Sequence, residues 1–455
     1  MHGKKIVCLG GGSLYFTHVL SDLAATEGLA GSEITLYDLD VKKAEIVATV
    51  GRRLAAEGGF GMQVRACSTL ADAIDGADFA ISAIGGGGAG DALTIYGSPY
   101  HQRDLLIPAR YGIYQDVGDT GGPAALMMGL RTISIYLDIA TEMEKHCPGV
   151  VFINHSNPMA PLCRAMVKYT RLPATIGLCH GVQGGIKHLS ELLDVPVEEL
   201  ETVWIGTNHY LWFTRIRHHG RDLYPELWRR LAERAPEPGR VLSQQLSELY
   251  GYKIVYPQDD HIIEFYPFLT HVRGPNELPY GMHAPIDLSS PPPEDAAPLT
   301  EGERQAERDR YLGDFQTKVH GTRLGSPSAD PRRGEGVGHL LAAIANGDRV
   351  VHIVNIPNRG IVPNLPDEAI LEVEGVTDSC GVRGIQVGEA PLPLAGLLQK
   401  RIAWQELVAD AAATGDRRVA LQALTLDEMA IRPDAAKQML DELLTASQAM
   451  LPRFF

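Results

Sequence analysis

Two asparagines, a cysteine and a histidine stand where strands of this chain are predicted to end. Asn154 and Asn157 follow the apolar run Val151–Ile153, and Cys179-His180-Gly181 follows a strand predicted over Thr175–Leu178. His209 lies further on, in Thr207-Asn208-His209-Tyr210. A thiolate and an imidazole at the ends of separate elements can converge on one divalent ion and leave positions open for substrate oxygens. The plain alternative is that Cys179 is a small apolar filler and His209 a satisfied core residue. Spacing alone does not choose between these.

A second constellation opens the chain. Gly10-Gly11-Gly12-Ser13 sits where a first strand meets a helix, and there glycines let backbone N–H groups approach a pyrophosphate lying on the helix N-terminus. The pattern is incomplete, because Tyr15 occupies the third glycine place. Its support comes from Asp38, at the end of the second strand and near the expected ~20-residue distance, placed to accept bonds from a ribose hydroxyl. An acid there favours NAD over NADP, whose 2′-phosphate it would repel. Asp40 is a second candidate, and Gly85-Gly86 would let the adenosine half lie close to the backbone.

The elements that must position these residues alternate. Strands are predicted over Lys4–Leu9, Glu33–Tyr37, Val64–Ser68, Phe79–Ile84 and Val150–Asn154, with helices over Tyr15–Leu23, Val41–Ala56, Leu70–Asp75, Ala125–Lys145 and Pro158–Thr170. Such alternation predicts an α/β fold, a Rossmann-like doubly wound parallel sheet of the lactate/malate dehydrogenase type. From about Val195 the texture changes. Val203–Ile205, Leu211–Arg217 and Val350–Ile356 read as strands, Arg240–Leu249 and Gly302–Leu312 as helices, and Ala395–Met450 as several helices. Tyr280–Pro298 and Thr322–Gly338 read as proline- and glycine-rich loops. Two domains are expected, a dinucleotide-binding domain over 1–195 and a C-terminal α+β domain over 196–455 that folds back on it, for substrate, metal and oligomer contacts.

Composition narrows the partners. A formal charge of -15 argues against nucleic acid or an anionic membrane as the main partner, since both need a positive surface. No uninterrupted apolar run approaches the ~18 residues of a membrane span, and the N-terminus has no signal-peptide pattern. The 6 cysteines are scattered with no CxxC pair, so a disulfide framework is not expected and a reducing cytoplasm fits.

The chain resembles glycoside hydrolase family four, the NAD- and metal-dependent glycosidases, which stand outside two-carboxylate glycoside hydrolysis. The resemblance is carried in order along the chain. Its blocks are GGGS at Gly10–Ser13, YDLD at Tyr37–Asp40, GIYQDVGDTGGP at Gly112–Pro123 and NHSNPM at Asn154–Met159. CHG at Cys179–Gly181, GTNH at Gly206–His209, DDHIIEF at Asp259–Phe265 and NIPNRGIVPNLP at Asn355–Pro366 follow. The resemblance implies Cys179 and His209 as metal ligands, with Mn2+ the usual ion. Asn154 would hold the sugar, with Asp119, His155, His261 and Asn358 around it. It also implies a mechanism: hydride transfer from sugar C3 to NAD, metal-assisted loss of the C2 proton, elimination of the aglycone, addition of water, and return of the hydride. Asp259 lines up with the base of members that act on unphosphorylated sugars, with Asp260 as the fallback. His180 would assist the leaving group, and Glu264 would support the pocket. A homodimer or homotetramer is the family's usual assembly.

His180-Gly181 resembles the uronidase pattern, which implies an unphosphorylated α-glucuronide or α-galacturonide as the small-molecule substrate. α-Galactosides and α-glucosides are the alternatives. A uronate carboxylate would want an arginine, and Arg110, Arg131, Arg332, Arg333 and Arg359 are candidates. Two departures bear on the pocket: Gly122-Pro123-Ala124-Ala125 replaces the family's GPGG, and His155 replaces a tyrosine. Two rivals remain at this stage. A lactate/malate-type dehydrogenase would release NADH and need no metal, whereas an inactive NAD-binding sensor would be expected to lose Asn154, Cys179, His209 and Asp259.

Overall fold

Short apolar runs ended by glycine or polar residues form the strands. These are β1 (Lys5–Leu9), β2 (Glu33–Tyr37), β3 (Gln63–Cys67), β4 (Phe79–Ser82), β5 (Val151–Asn154) and β6 (Ala174–Gly177). β1, β4, β5 and β6 are buried almost throughout, as expected where helices cover both faces of a parallel sheet. The computed structural model describes residues 3–85, 98–256, 258–275, 277–284, 286–292, 301–325 and 336–455.

These six strands run parallel in the order β3-β2-β1-β4-β5-β6. That is the Rossmann order, with its crevice at the carboxyl ends of the strands. The sheet does not stop at the predicted domain boundary. A hairpin of β7 (Leu200–Thr207) and β8 (Tyr210–His218), with a short β9 (Arg221–Asp222), forms a separate three-stranded sheet. The chain then returns: β10 (Val351–Pro357) pairs antiparallel to β6, followed by β11 (Ile370–Asp378) and β12 (Gly381–Gly384). The C-terminal half therefore extends the first sheet to nine strands. One apolar core runs from Ile6 in β1 to Phe454 near the C-terminus. A smaller core packs Trp204 and Phe213 of the hairpin against Val182, Val255 and Ile353.

Gly122–His146 is one described helix long and apolar enough to cross a membrane, but 78% of its most apolar stretch is buried. It packs on the helices Leu392–Thr414 and Met159–Tyr169. Its buried Arg131 forms an ion pair with Asp104, which satisfies both charges inside the core. Sequence reading placed β1, β2, β5 and β8 to within a residue or two. It missed β11 and β12, and read as loop a stretch that ends in the helix Val337–Asn346. The charged helix predicted over Gly302–Leu312 runs further, over Glu301–His320.

Candidate functional site

The strands' carboxyl ends bring the candidate residues to one edge of the sheet. After β1, Gly10 takes φ +78, a left-handed conformation that costs glycine little. Its N–H and that of Gly11 both donate to Tyr37 O, at 2.9 and 2.8 Å, locking the turn to β2. A Cβ on Gly12 would meet the Asp38 carboxyl at 3.0 Å and Lys43 Cβ at 2.8 Å. Gly12 N–H instead donates to Asp38 Oδ2 at 3.0 Å. The helix Tyr15–Ala24 that follows has no side-chain N-cap, leaving an N-terminus suited to a phosphate; Ser13 Oγ accepts from Tyr15 N–H at 3.2 Å. A bare backbone cradle with an acid beside it fits a dinucleotide. Asp40 does not share that role. Its carboxylate caps the helix Val41–Gly58 through the N–H groups of Lys42 and Lys43, and it pairs with Arg308. Gly85 follows β4, three residues after Ser82, and Gly86 lies outside the described residues.

The metal candidates converge. Cys179 lies just beyond β6, and His209 in the two-residue turn between β7 and β8. Cys179 Sγ and His209 Nε2 are 3.3 Å apart. Ligand bonds of about 2.0–2.3 Å let both atoms reach one ion. His209 stacks on Tyr256, with ring centroids 4.4 Å apart and planes within 7°. Burial, followed by the charge of His261, pushes the His209 pKa down to about 3, so its imidazole is neutral as a ligand must be. A thiolate with a neutral imidazole is a donor set that suits a divalent transition ion.

Beside them lies an acid-rich wall. His261 Nδ1 is 2.8 Å from Asp260 Oδ1, and its Nε2 is 3.7 Å from Asp119 Oδ1. Its ring sits edge-on to His209 at 4.8 Å. Burial alone would lower the His261 pKa, but the Asp260 hydrogen bond and the charges of Asp119, Asp260 and Glu264 raise it to about 9. Burial pushes Asp260 up, yet the bond to His261 and its charge outweigh that, leaving the carboxyl below its ordinary value. Asp116 is pushed up to about 6 by burial and by Asp260. Asn157 Nδ2 donates to Asp119 Oδ2 at 2.7 Å.

Several predicted roles do not survive the geometry. Asp259 is fully buried and accepts from Leu242 N–H (3.0 Å) and Ser243 N–H (2.8 Å), capping the helix Val241–Tyr250. Its carboxylate is committed to a helix end and is not presented as a base. Asn154 is also fully buried. It accepts from Tyr136 OH at 2.7 Å and from Ser156 N–H at 3.1 Å, and it donates to Ser156 O at 2.9 Å. It shapes the β5 turn, and Asn157 takes the place facing Asp119. Asn358 spends its amide on Val362, Leu365 and Pro366 carbonyls, knotting the 355–366 loop. His155 bonds Tyr15 OH and ties the β5 end to the glycine-turn helix. His180 is not among these: it is exposed, next to Cys179, at the start of the helix Gly181–Leu193. Asp116 was missed although it lies in the Gly112–Pro123 block beside Asp119, and Tyr256 was missed because it lies outside every such block.

Glu264 is buried and accepts from Gly118 N–H (2.7 Å) and Val117 N–H (3.1 Å), holding the turn that carries Asp116 and Asp119. Burial, followed by the charge of Asp119, raises its pKa to about 8. Its folded pKa lies above the unfolded one, so the folded state binds the extra proton. Stability should therefore fall as pH rises from about 4.5 towards 8. Thermal midpoints of the metal-free protein across that range should show the decline, and Glu264→Gln should flatten it. A slope unchanged in the variant would remove Glu264 as its source.

Comparison with known proteins identifies the family. The family 4 glycosyl hydrolase model matches residues 5–195, and the family 4 glycosyl hydrolase C-terminal domain matches 204–430. The chain is 30% identical to an alpha-galactosidase of Bacillus subtilis (strain 168) over 459 residues, covering 99% of this chain and 100% of the relative. It is 30% identical to an alpha-galacturonidase of the same organism over 465 residues, 97% of this chain and 96% of the relative. A 6-phospho-alpha-glucosidase from gut microorganisms, crystallised in complex with NAD and Mn2+, shares the fold with a TM-score of 0.75 at 21% identity, covering 99% of this chain and 100% of that one. With both halves matched and the Cys179–His209 pair at the expected edge of the sheet, the chain belongs to the family 4 glycosyl hydrolases.

Proposed function

We propose that this enzyme hydrolyses an unphosphorylated α-glycoside with NAD and a divalent metal, Mn2+ being the first candidate. The observation that carries this reading is the approach of Cys179 and His209 beside the Asp260–His261 pair, at the carboxyl edge of a Rossmann sheet. When bound, NAD would supply a hydride acceptor for sugar C3 and the ion a Lewis acid for the neighbouring oxygens, which makes the C2 proton acidic. Asp260 is the residue that takes this proton. The cationic His261 holds its carboxylate ionised and oriented. Asp119 and Asn157 present a carboxylate and an amide to sugar hydroxyls. Exposed His180, next to Cys179, is placed to assist the leaving group.

The acid wall of Asp116, Asp119 and Asp260 supports a substrate without a phosphate, since a dianion there would be repelled. Two unphosphorylated classes follow from the relatives. An α-galacturonide fits His180-Gly181 and the alpha-galacturonidase relative. A neutral α-galactoside is favoured by the fate of the candidate arginines. Arg110 pairs with Glu442, Arg131 with Asp104, and Arg359 is exposed on a turn, while Arg332 and Arg333 lie outside the described residues. A panel of α- and β-glycosides, with uronides and 6-phosphates, assayed with NAD, Mn2+ and a thiol reductant, separates these. Hydrolysis confined to unphosphorylated α-glycosides is the expected result. Preference for a 6-phosphate, or activity undiminished without NAD, would overturn the reading.

A further inference from the structure

We infer that Glu372, a buried carboxylate from the C-terminal half, is a positioning residue that aims His209 at Cys179. The inference rests on the metal role proposed for that pair. Glu372 lies on β11 and is fully buried. Opposite it on β10 is Asn355, and opposite Asn355 on β6 is Gly177, two residues before Cys179. One row across three strands thus links the cysteine's strand to the glutamate. The histidine's turn comes down on the same point. Asn208 Nδ2 donates to Glu372 Oε2 at 3.1 Å, and Trp204 Nε1 donates to Glu372 O at 2.8 Å. The main-chain N–H of His209 faces the same carboxylate.

Such an anchor is needed because His209 takes φ +62. A bulky residue holds this conformation only where its surroundings over-determine it. The turn is gripped on both sides: Gln405 Nε2 donates to Thr207 Oγ1 at 3.0 Å, and Glu372 holds Asn208. If the turn relaxed, the imidazole would lose its stack on Tyr256 and its line to Cys179 Sγ. Glu372 and Gln405 act on the turn through Asn208 and Thr207. They decide where His209 points, as outer contacts of metal ligands do.

The test is Mn2+ binding followed by electron paramagnetic resonance, which needs no turnover, on chelator-treated wild type and on Cys179→Ala, Glu372→Ala, Glu372→Gln and Asn208→Ala. Circular dichroism of each metal-free variant reports folding. Wild type should bind, and Cys179→Ala should not. Glu372→Ala should weaken binding by about 10–100-fold. Glu372→Gln, which keeps an acceptor oxygen for Asn208, should recover most of that loss. At saturating Mn2+ the kcat of Glu372→Ala should approach wild type, while the half-saturating Mn2+ concentration stays raised. Folded Glu372→Ala binding Mn2+ within about twofold of wild type would overturn the positioning role. Should Glu372→Ala fail to fold, unchanged affinity in both Asn208→Ala and Glu372→Gln would overturn it equally. Unchanged affinity in Cys179→Ala would instead overturn the metal role of the pair, and the positioning role with it.

Discussion

Replacing Cys179 with alanine is expected to abolish hydrolysis and to weaken Mn2+ binding by more than about 100-fold, beyond what outer contacts of a metal site are worth. The chemistry is specific. Cys179 Sγ lies 3.3 Å from His209 Nε2, and an alanine methyl donates no electron pair. The fold should survive the change. Cys179 is only half-buried, beyond the end of β6, and alanine keeps its small volume. His209→Ala is a poorer probe because it also removes the stack on Tyr256 and relaxes the turn. Turnover and Mn2+ titration on the folded Cys179→Ala protein decide the matter. Activity that persists in this variant would return Cys179 to the role of a small filler.

The second large effect separates two neighbours. Asp260→Asn should lower kcat by about 10²–10⁴-fold, the usual worth of a positioned general base. It should also abolish deuterium incorporation at sugar C2 during turnover in deuterated water. Asp259→Asn should leave both nearly unchanged in the folded fraction, although its single amide oxygen can replace only one of the two acceptors, Asp259 Oδ1 and Oδ2, that take these N–H groups. Asp259→Ala, by contrast, strips the cap from the helix Val241–Tyr250 and leaves the Leu242 and Ser243 N–H groups unpaired. That loss should cost about 1–3 kcal/mol of stability with kcat retained in the folded fraction. Denaturant titration and steady-state kinetics on the four proteins provide the comparison. The reverse pattern, with Asp259→Asn inactive and Asp260→Asn active, would restore Asp259 as the base.

These two residues mark the boundary between what was legible in the sequence and what was not. The Rossmann half could be read because its strands are short apolar runs punctuated by glycine, and periodicity and turn residues are local signals. Gly10 to Ser13 and Asp38 could be read for a related reason, since strand, glycines, helix and acid in that order form a local pattern, whereas Cys179 and His209 were marked as ligands by the family resemblance. β11 escaped because its sequence mixes charged and apolar residues, ILEVEGVTD, and reads as exposed. Its burial comes from pairing with β10, a contact between distant segments.

Local sequence patterns therefore determined a dinucleotide-type sheet, and only the family resemblance marked Cys179 and His209 as a pair for a metal. Which side chains face the site was decided only by tertiary structure. Asp259 and Asp260 are adjacent and chemically identical, yet one ends in a helix cap and the other beside His261. Asn154 and Asn157 divide in the same way, the first sealed into the β5 turn and the second turned towards Asp119. The physical reason is common to both pairs. A buried polar group must find a hydrogen-bond partner, and the partners that claim Asp259 and Asn154 are set by how the backbone packs, which no local pattern records.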